Sequence, residues 1–296
     1  MIHILDLQFL DSPNTIASFL VETSARPILI ETGPYSTFQQ LRSSLQQKGY
    51  EIEDIKHVFI THIHLDHAGA AWAFAEKGAK IYLHPFGYKH MNDPSKLIQS
   101  ATRIYQDDME RLWSTLKPIA KDKLQIVEDK EVISVGDIDL VAHHTPGHAS
   151  HHIAWQLNDV IFTGDVAGVK IEHGPVVPPC PPPDINIEAW KESIERLKSL
   201  SPKTLYLTHY GTIENIDSHF DLLVNSLDEW ANWILPHYKQ GTPKENLTPL
   251  FQNYVSEDLK KKGVNDDLLV QYEKANPSWM SVAGLLRYWR KKMESK

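Results

Sequence analysis

The chain has 296 residues, 30 Lys+Arg against 38 Asp+Glu for a formal charge of −8, and 42% hydrophobic residues. That composition supplies one large core, or a core with an appendage, and argues against a nucleic-acid-binding face. A single cysteine, Cys180, excludes an intrachain disulfide, and no apolar run reaches the length that crosses a bilayer. Met1-Ile2-His3-Ile4-Leu5-Asp6 has no basic segment ahead of an apolar one, so no signal peptide and a cytoplasmic location are expected.

Residues 2–7, 16–22 and 27–31 read as short strands, and 38–48 as a helix closed by Gly49. The apolar run His57-Val58-Phe59-Ile60 predicts a buried strand that ends in Thr61-His62-Ile63-His64-Leu65-Asp66-His67-Ala68-Gly69. While the chain stays extended, His62 and His64 leave from one face. Asp66 and His67 follow where the chain turns into small residues, placed to address a second, adjacent ion. Imidazole nitrogen and carboxylate oxygen are donors that zinc accepts, as do iron and manganese. The bland alternative, a solvated His-rich turn, leaves a polar cluster without partners behind a buried strand.

A short helix at 70–77 ends at Gly78, and a strand follows at 81–84. Helical periodicity over 95–116 aligns Ile98, Ile104, Tyr105, Met109, Leu112 and Trp113 as an apolar stripe. Strands are predicted at 124–127, 131–134 and 138–144, the last running into His143-His144-Thr145-Pro146-Gly147-His148-Ala149-Ser150-His151-His152. A hairpin of 153–157 and 160–163 turns at Asn158-Asp159 and ends in Gly164-Asp165. A further strand from Thr204 ends in Thr208-His209-Tyr210-Gly211. Four strand ends thus present His or Asp to one place, the layout of a site at one edge of an α/β sheet system.

Between them, the proline-rich segment 174–184 forbids helix and sheet interior alike and predicts a stiff connection. It is either the rim of the cleft or a plain spacer, with Asp184 expected to cap a helix over 187–200. Cys180 within it reads as a packed residue. Past Gly211, helices are predicted at 216–237, 246–262, 266–276 and 278–292, the first carrying Trp230 and Trp233 on an aromatic-rich face. The expected organisation is a catalytic domain over 1–215 and a helical appendage over 216–296 that either caps the site or forms a homodimer interface.

With these motifs the chain resembles the metallo-β-lactamase-fold hydrolase superfamily, close to its glyoxalase II-like branch, over about residues 1–215. The pattern His-x-His-x-Asp-His is met by His62, His64, Asp66 and His67, the Pro-Gly-His element by His148, the Gly-Asp element by Asp165, and the last histidine by His209. The resemblance implies a four-layer αββα sandwich of class α/β, here with a C-terminal helical appendage. It also implies two divalent ions, zinc or else iron or manganese. His62, His64 and His148 would hold one, Asp66, His67 and His209 the other, and Asp165 would bridge them. Glu31 departs from the Asp that such proteins commonly carry there, at a position expected behind the ligands. The resemblance further implies that 95–116 lies over the site; the residues alone read equally well as a packed surface helix.

Two dications about 3.5–4 Å apart share a water and lower its pKa to about 7, giving hydroxide at neutral pH. Asp66 is the expected catalytic residue, because its free oxygen can accept the proton. The predicted function is a dinuclear hydrolase acting on the thioester, ester or lactone carbonyl of a small-molecule substrate. Phosphodiester hydrolysis, a mononuclear iron enzyme like the persulfide dioxygenases, and a non-catalytic ligand sensor are the alternatives. His144, His151 and His152 are expected to support the site or to be solvated, and Tyr210 to pack.

Overall fold

The computed structural model describes residues 1–294. Its first sheet runs in chain order through β1 (Ile2–Asp6), β2 (Ala17–Val21), β3 (Ile28–Ile30), β4 (His57–Phe59), β5 (Lys80–Leu83) and β6 (Leu124–Ile126). The first three are antiparallel, and β3 to β6 are parallel. The second sheet comprises β7 (Val132–Val135), β8 (Ile138–His144), β9 (Ile153–Leu157), β10 (Val160–Phe162), β11 (Thr204–Leu207) and β12 (Gly211–Ile213). There only β10 and β11 are parallel.

Side-chain alternation builds the layers. Phe19, Ile28, Ile30 and Phe59 of the first sheet face Leu140, Trp155 and Phe162 of the second in one buried cluster. Phe59 and Trp155 meet edge to face at 5.0 Å. The opposite face of the first sheet, with Leu20, Leu29, Val58 and Ile81, packs with the apolar sides of α1 (Phe38–Gln47) and α3 (Ala71–Glu76). The short α2 (Leu65–Ala68) precedes α3. The opposite face of the second sheet is covered by α7 (Ile187–Ser199) and α8 (Ile216–Gln240) through Trp190, Ile194, Phe220 and Leu223. The result is two mixed sheets flanked by helices, the α/β sandwich expected.

Between β5 and β6 the chain forms α4 (Pro85–Asn92), α5 (Ser95–Tyr105) and α6 (Met109–Leu112). The single helix predicted over 95–116 is therefore broken: Gln106 takes a left-handed φ of 48° and splits it into α5, a 3-10 turn and α6. The helix α4 is additional, started by the His84 ring, which accepts from Phe86 N–H, with Pro85 in the first turn. Asp184 does not cap α7. Asn186 Oδ1 accepts from Ala189 N–H (3.1 Å), while Asp184 accepts from Ser150 Oγ (2.6 Å).

After α8 come α9 (Lys244–Lys261), α10 (Asp266–Ala275) and α11 (Ser278–Glu294). They share one buried cluster with α7 and the second sheet. The aromatic face of α8 is used inside the chain: Trp230 packs on Phe251 at 5.0 Å and Trp233 on Tyr254 at 5.1 Å. The proline-rich segment is clamped by α10 and α11. Tyr272 OH donates to Pro175 O (2.7 Å), Asn276 Nδ2 to Pro178 O (3.1 Å) and Arg287 Nε to Pro183 O (3.0 Å). Prolines cannot use their own N–H in a ladder, so their carbonyls take side-chain donors instead. At the tightest point a Cβ on Gly284 would lie 1.9 Å from Cys180 O, so only glycine admits this approach.

Candidate metal centre

Beyond β4, the backbone is gripped by both sheets: Ile60 N–H donates to Tyr82 O of the first (3.1 Å), while from the second Trp155 Nε1 donates to Ile60 O (3.1 Å) and Ile153 N–H to Thr61 O (2.7 Å). His62 leaves from this fixed segment. His64 O then receives the N–H groups of His67 (3.0 Å) and Ala68 (2.9 Å), opening α2 and putting Asp66 and His67 in its first turn. Thr32 N–H and Oγ1 bind His67 O at 2.8 and 3.0 Å, which holds that turn against β3.

Close backbone approach positions the other ligand candidates. Gly147 precedes His148 at φ 143°, and a Cβ there would lie 2.3 Å from Trp190 Cα. Gly164 precedes Asp165 at φ 51°, where a Cβ would meet Thr61 Oγ1 at 2.4 Å. Both positions exclude side chains: Gly147 lets the His148 loop close on α7, and Gly164 draws the Asp165 loop onto the first motif.

All seven predicted residues converge. His62 Nε2 lies 2.8 Å and His148 Nε2 3.0 Å from His64 Nδ1. Asp66 Oδ2 lies 3.6 Å from His67 Nε2 and 3.5 Å from His209 Nε2. Asp165 spans the two groups: its Oδ2 is 3.2 Å from His148 Nε2, and its Oδ1 is 3.2 Å from His67 Nε2 and 3.4 Å from His209 Nε2. Nitrogens bound to one ion at its usual bond length are about 2.9–3.4 Å apart, so the spacing suits a divalent cation. His67 Nε2, His209 Nε2 and Asp165 Oδ1 are buried without a hydrogen-bond partner. Orphans of that kind, aimed at one another, are costly unless a cation sits among them. The donor set fits divalent metal.

The far side of four of the five rings is fixed as well. His148 Nδ1 donates to Pro179 O (2.9 Å) and His209 Nδ1 to Thr15 O (2.6 Å). His62 Nδ1 pairs with Thr61 Oγ1 (2.9 Å), and His67 Nδ1 with Glu31 Oε1 (3.2 Å). Such contacts set tautomer and orientation, leaving Nε2 as the inward atom; His64 alone presents Nδ1. Glu31, the departure noted in the sequence, is fully buried in a left-handed conformation, and its carboxylate also receives Thr61 N–H (3.3 Å) and Oγ1. It thereby ties the strand carrying His62 to the ring of His67.

Charge divides the cluster. Burial drives His62 well below the ordinary imidazole value, reinforced by His67, and burial with His148 pushes His64 down to about 4. Burial also opposes charge on His67, but Asp165, Asp66 and Glu31 outweigh it and hold His67 well above the usual value. His209 is raised likewise: burial works against its charge, and the carboxylates of Asp165 and Asp66 prevail. Burial would raise Asp66, yet His67 and His209 hold it at about 2. In metal-free protein a proton is therefore favoured on the His67 and His209 side of the cluster and disfavoured on the His62 and His64 side. Zinc binding is expected to release at least one proton and to weaken as pH falls. Calorimetric titration in buffers of different ionisation enthalpy reads this directly, and a signal independent of buffer would contradict it.

His152 is a supporting residue. Its Nε2 accepts Asp165 N–H (3.2 Å), so its proton sits on Nδ1, which donates to Thr145 Oγ1 (2.7 Å). His144 Nε2 pairs with Val127 O (3.0 Å) away from the cluster, and Tyr210 packs against the cluster between the sheets. The cluster opens into a cavity of about 1200 Å³ that also contacts Tyr105, Trp113, Pro179 and Trp279. The proline-rich segment is thus rim, and Cys180 is fully buried beneath it with its thiol pKa raised by burial. Tyr105 and Trp279 meet edge to face at 5.6 Å, so α5 and α11 join beside the cavity. Periodicity marked Tyr105 as apolar stripe; nothing in the tail singled out Trp279. Among the described residues no helix is long and apolar enough to cross a membrane.

The model of the Metallo-beta-lactamase superfamily matches residues 12–209. Metallo-beta-lactamase fold-containing protein ST1585 of Sulfurisphaera tokodaii is 30% identical over 171 residues, 55% of this chain and 63% of that protein. An N-acyl homoserine lactonase of a Bacillus species is 27% identical over 228 residues, 69% of this chain and 82% of its own. An atrochrysone carboxyl ACP thioesterase of Aspergillus fumigatus is 27% identical over 207 residues, 67% of this chain and 52% of its own. The chain thus spans less than two thirds of the length of the first and last of these. The crystal structure of ST1585 from Sulfolobus tokodaii superimposes with a TM-score of 0.67 at 20% identity, covering 96% of this chain and 97% of that one.

Proposed function

The chain belongs to the metallo-beta-lactamase superfamily, and from that premise we propose that it is a dinuclear metal-dependent hydrolase of thioester, ester or lactone carbonyls. One observation carries the reading: seven donor side chains converge, with orphaned inward atoms, beside a large cavity with apolar walls. His62, His64 and His148 would hold one ion, Asp66, His67 and His209 the other, with Asp165 shared. Two divalent ions, zinc by the donor set, would supply a water of pKa about 7 and polarise a carbonyl oxygen.

The rest belongs to the chain. Asp66 is 23% exposed where Asp165 is 4% exposed, so Asp66 is the carboxylate more open to the cavity. Its Oδ2 faces His67 and His209, leaving Oδ1 to orient the attacking water and hold its proton. Tyr105, Trp113 and Trp279 offer an apolar seat for an acyl group and exclude bulk water. No side-chain nucleophile is needed, and buried Cys180 offers none. With α11 on the cavity wall, the tail acts as a substrate cap. The lactonase and thioesterase among the relatives support carbonyl chemistry.

The deciding experiment assays zinc-loaded protein against acyl thioesters, lactones, aryl esters and phosphodiesters, before and after chelation. Turnover of a carbonyl substrate that vanishes on chelation and returns with about two equivalents of metal is the expected result. Turnover confined to phosphodiesters, or none with two equivalents bound, would overturn the reading.

A further inference from the structure

Three residues beyond His148 stands His151, which takes no part in the hydrogen bonds that fix the ligand rings. Its ring stacks over His62 (centroids 6.1 Å, planes 17° apart) and lies edge-on to His64 (5.7 Å, 88°). Among the described residues it belongs to no group of three donors close enough to share an ion. It lines the same cavity as His64, Asp66 and Asp165. Its Nδ1 is enclosed and has no partner at hydrogen-bond geometry, which leaves Nε2 as the nitrogen able to reach the cavity.

The wall beside it is polar where much of the cavity is not. Ser150, Asp184 and His90 line it too, and Ser150 Oγ is committed to Asp184 Oδ2 at 2.6 Å. The Nε2 of a neutral imidazole is a donor or an acceptor according to its tautomer, so it can meet either the C=O or the N–H of an amide.

We propose that His151 is a substrate-contacting specificity residue: its ring hydrogen-bonds a neutral amide-like group on the leaving side of a thioester or ester whose acyl group lies against the apolar wall. This rests on the carbonyl-hydrolase reading and narrows it to substrates whose leaving group carries such a group a few bonds from the scissile carbonyl. Apolar acyl group and polar leaving group would then be sorted by the two unlike walls of one cavity.

The test compares two octanoyl thioesters, one of N-acetylcysteamine, which carries the amide, and one of ethanethiol, which does not. In His151→Ala, kcat/KM for the first is expected to fall at least 10-fold more than for the second, with metal content unchanged and part of the loss restored in His151→Gln. Equal losses on both thioesters, or loss of metal along with activity, would overturn the proposal. A second readout needs no turnover: calorimetric binding of S-octyl-N-acetylcysteamine, a thioether that cannot be hydrolysed, against octyl ethyl sulfide. The expected result is about 10-fold weaker binding of the first in His151→Ala and no change for the second. Wild-type protein that prefers the amide-bearing thioether yet turns over no thioester, ester or lactone would sink the hydrolase reading and leave this contact standing. No preference in the wild type, or an equal preference in the variant, would sink the contact itself.

Discussion

Asp66→Asn is expected to keep both metal equivalents and to lower kcat by about 10²–10⁴-fold, the usual worth of a positioned proton acceptor. The amide preserves the shape of the side chain and the oxygen that faces His67 and His209, at 3.6 and 3.5 Å in the native chain. What it removes is the negative charge, and with it the atom that can hold a proton from the attacking water. Asp66→Ala removes the oxygen too, so it is expected to lose activity and also to weaken one ion, by about 10–100-fold or more. The comparison matters because Asp165 is a second carboxylate in the same cluster. Asp165 is buried and its oxygens are divided between His148 on one side and His67 and His209 on the other, so neither oxygen is left over to hold a proton. Steady-state kinetics with metal analysis on the same samples decides the matter. An Asp66→Asn protein with two metals and more than about a tenth of native kcat would remove Asp66 from the chemistry.

The second large effect lies far along the chain. Gly284→Ala is expected to cost more than about 3 kcal/mol of stability, at the upper end of overpacking penalties. The added Cβ would sit 1.9 Å from Cys180 O and 2.9 Å from Pro181 C, and backbone held by prolines cannot step aside cheaply. Either α11 lifts or the loop shifts. Because the neighbouring Pro179 O is the acceptor for His148 Nδ1, a shift of the loop reaches the metal centre. Zinc affinity is therefore expected to fall about 10–100-fold alongside the lower urea midpoint, as when an outer partner of a ligand is lost. Reduced stability with native zinc affinity would show that α11 packs on the loop without governing the ligand.

The sequence made the centre legible where the information was local or carried by rare donors. His62 to His67 declared themselves because imidazoles and a carboxylate follow an apolar strand, and His148, Asp165 and His209 because each ends a strand beside a glycine or turn. The layered fold was implied by the resemblance those motifs carry, and the structure shows its basis in the alternation of residues such as Phe19 and Leu20, which point into different clusters. Features set by backbone conformation were not legible. Gln106 breaks the helix at 95–116 without glycine or proline to mark it. The true cap of α7 lies two residues past Asp184, and both Asp184 and Asn186 are short polar acceptors that sequence cannot rank. Pro85 and Gly87 disguised α4, since both residues ordinarily punctuate a chain. The bond from His209 to Thr15 joins positions 194 apart through a carbonyl, an atom every residue possesses.

That last contact has a bearing on how such a centre changes over generations. His209 and His148 are aimed by main-chain oxygens of Thr15 and Pro179, whereas His67 and His62 are aimed by the side chains of Glu31 and Thr61. A carbonyl is copied faithfully whatever codon stands at its position, so one histidine in each half of the cluster is sheltered from drift so long as the fold persists. The other is not. Glu31 and Thr61 are the places where a single nucleotide change can retune metal hold without touching a ligand, and libraries that vary those two positions would sample the adjustable part of an otherwise heritable geometry.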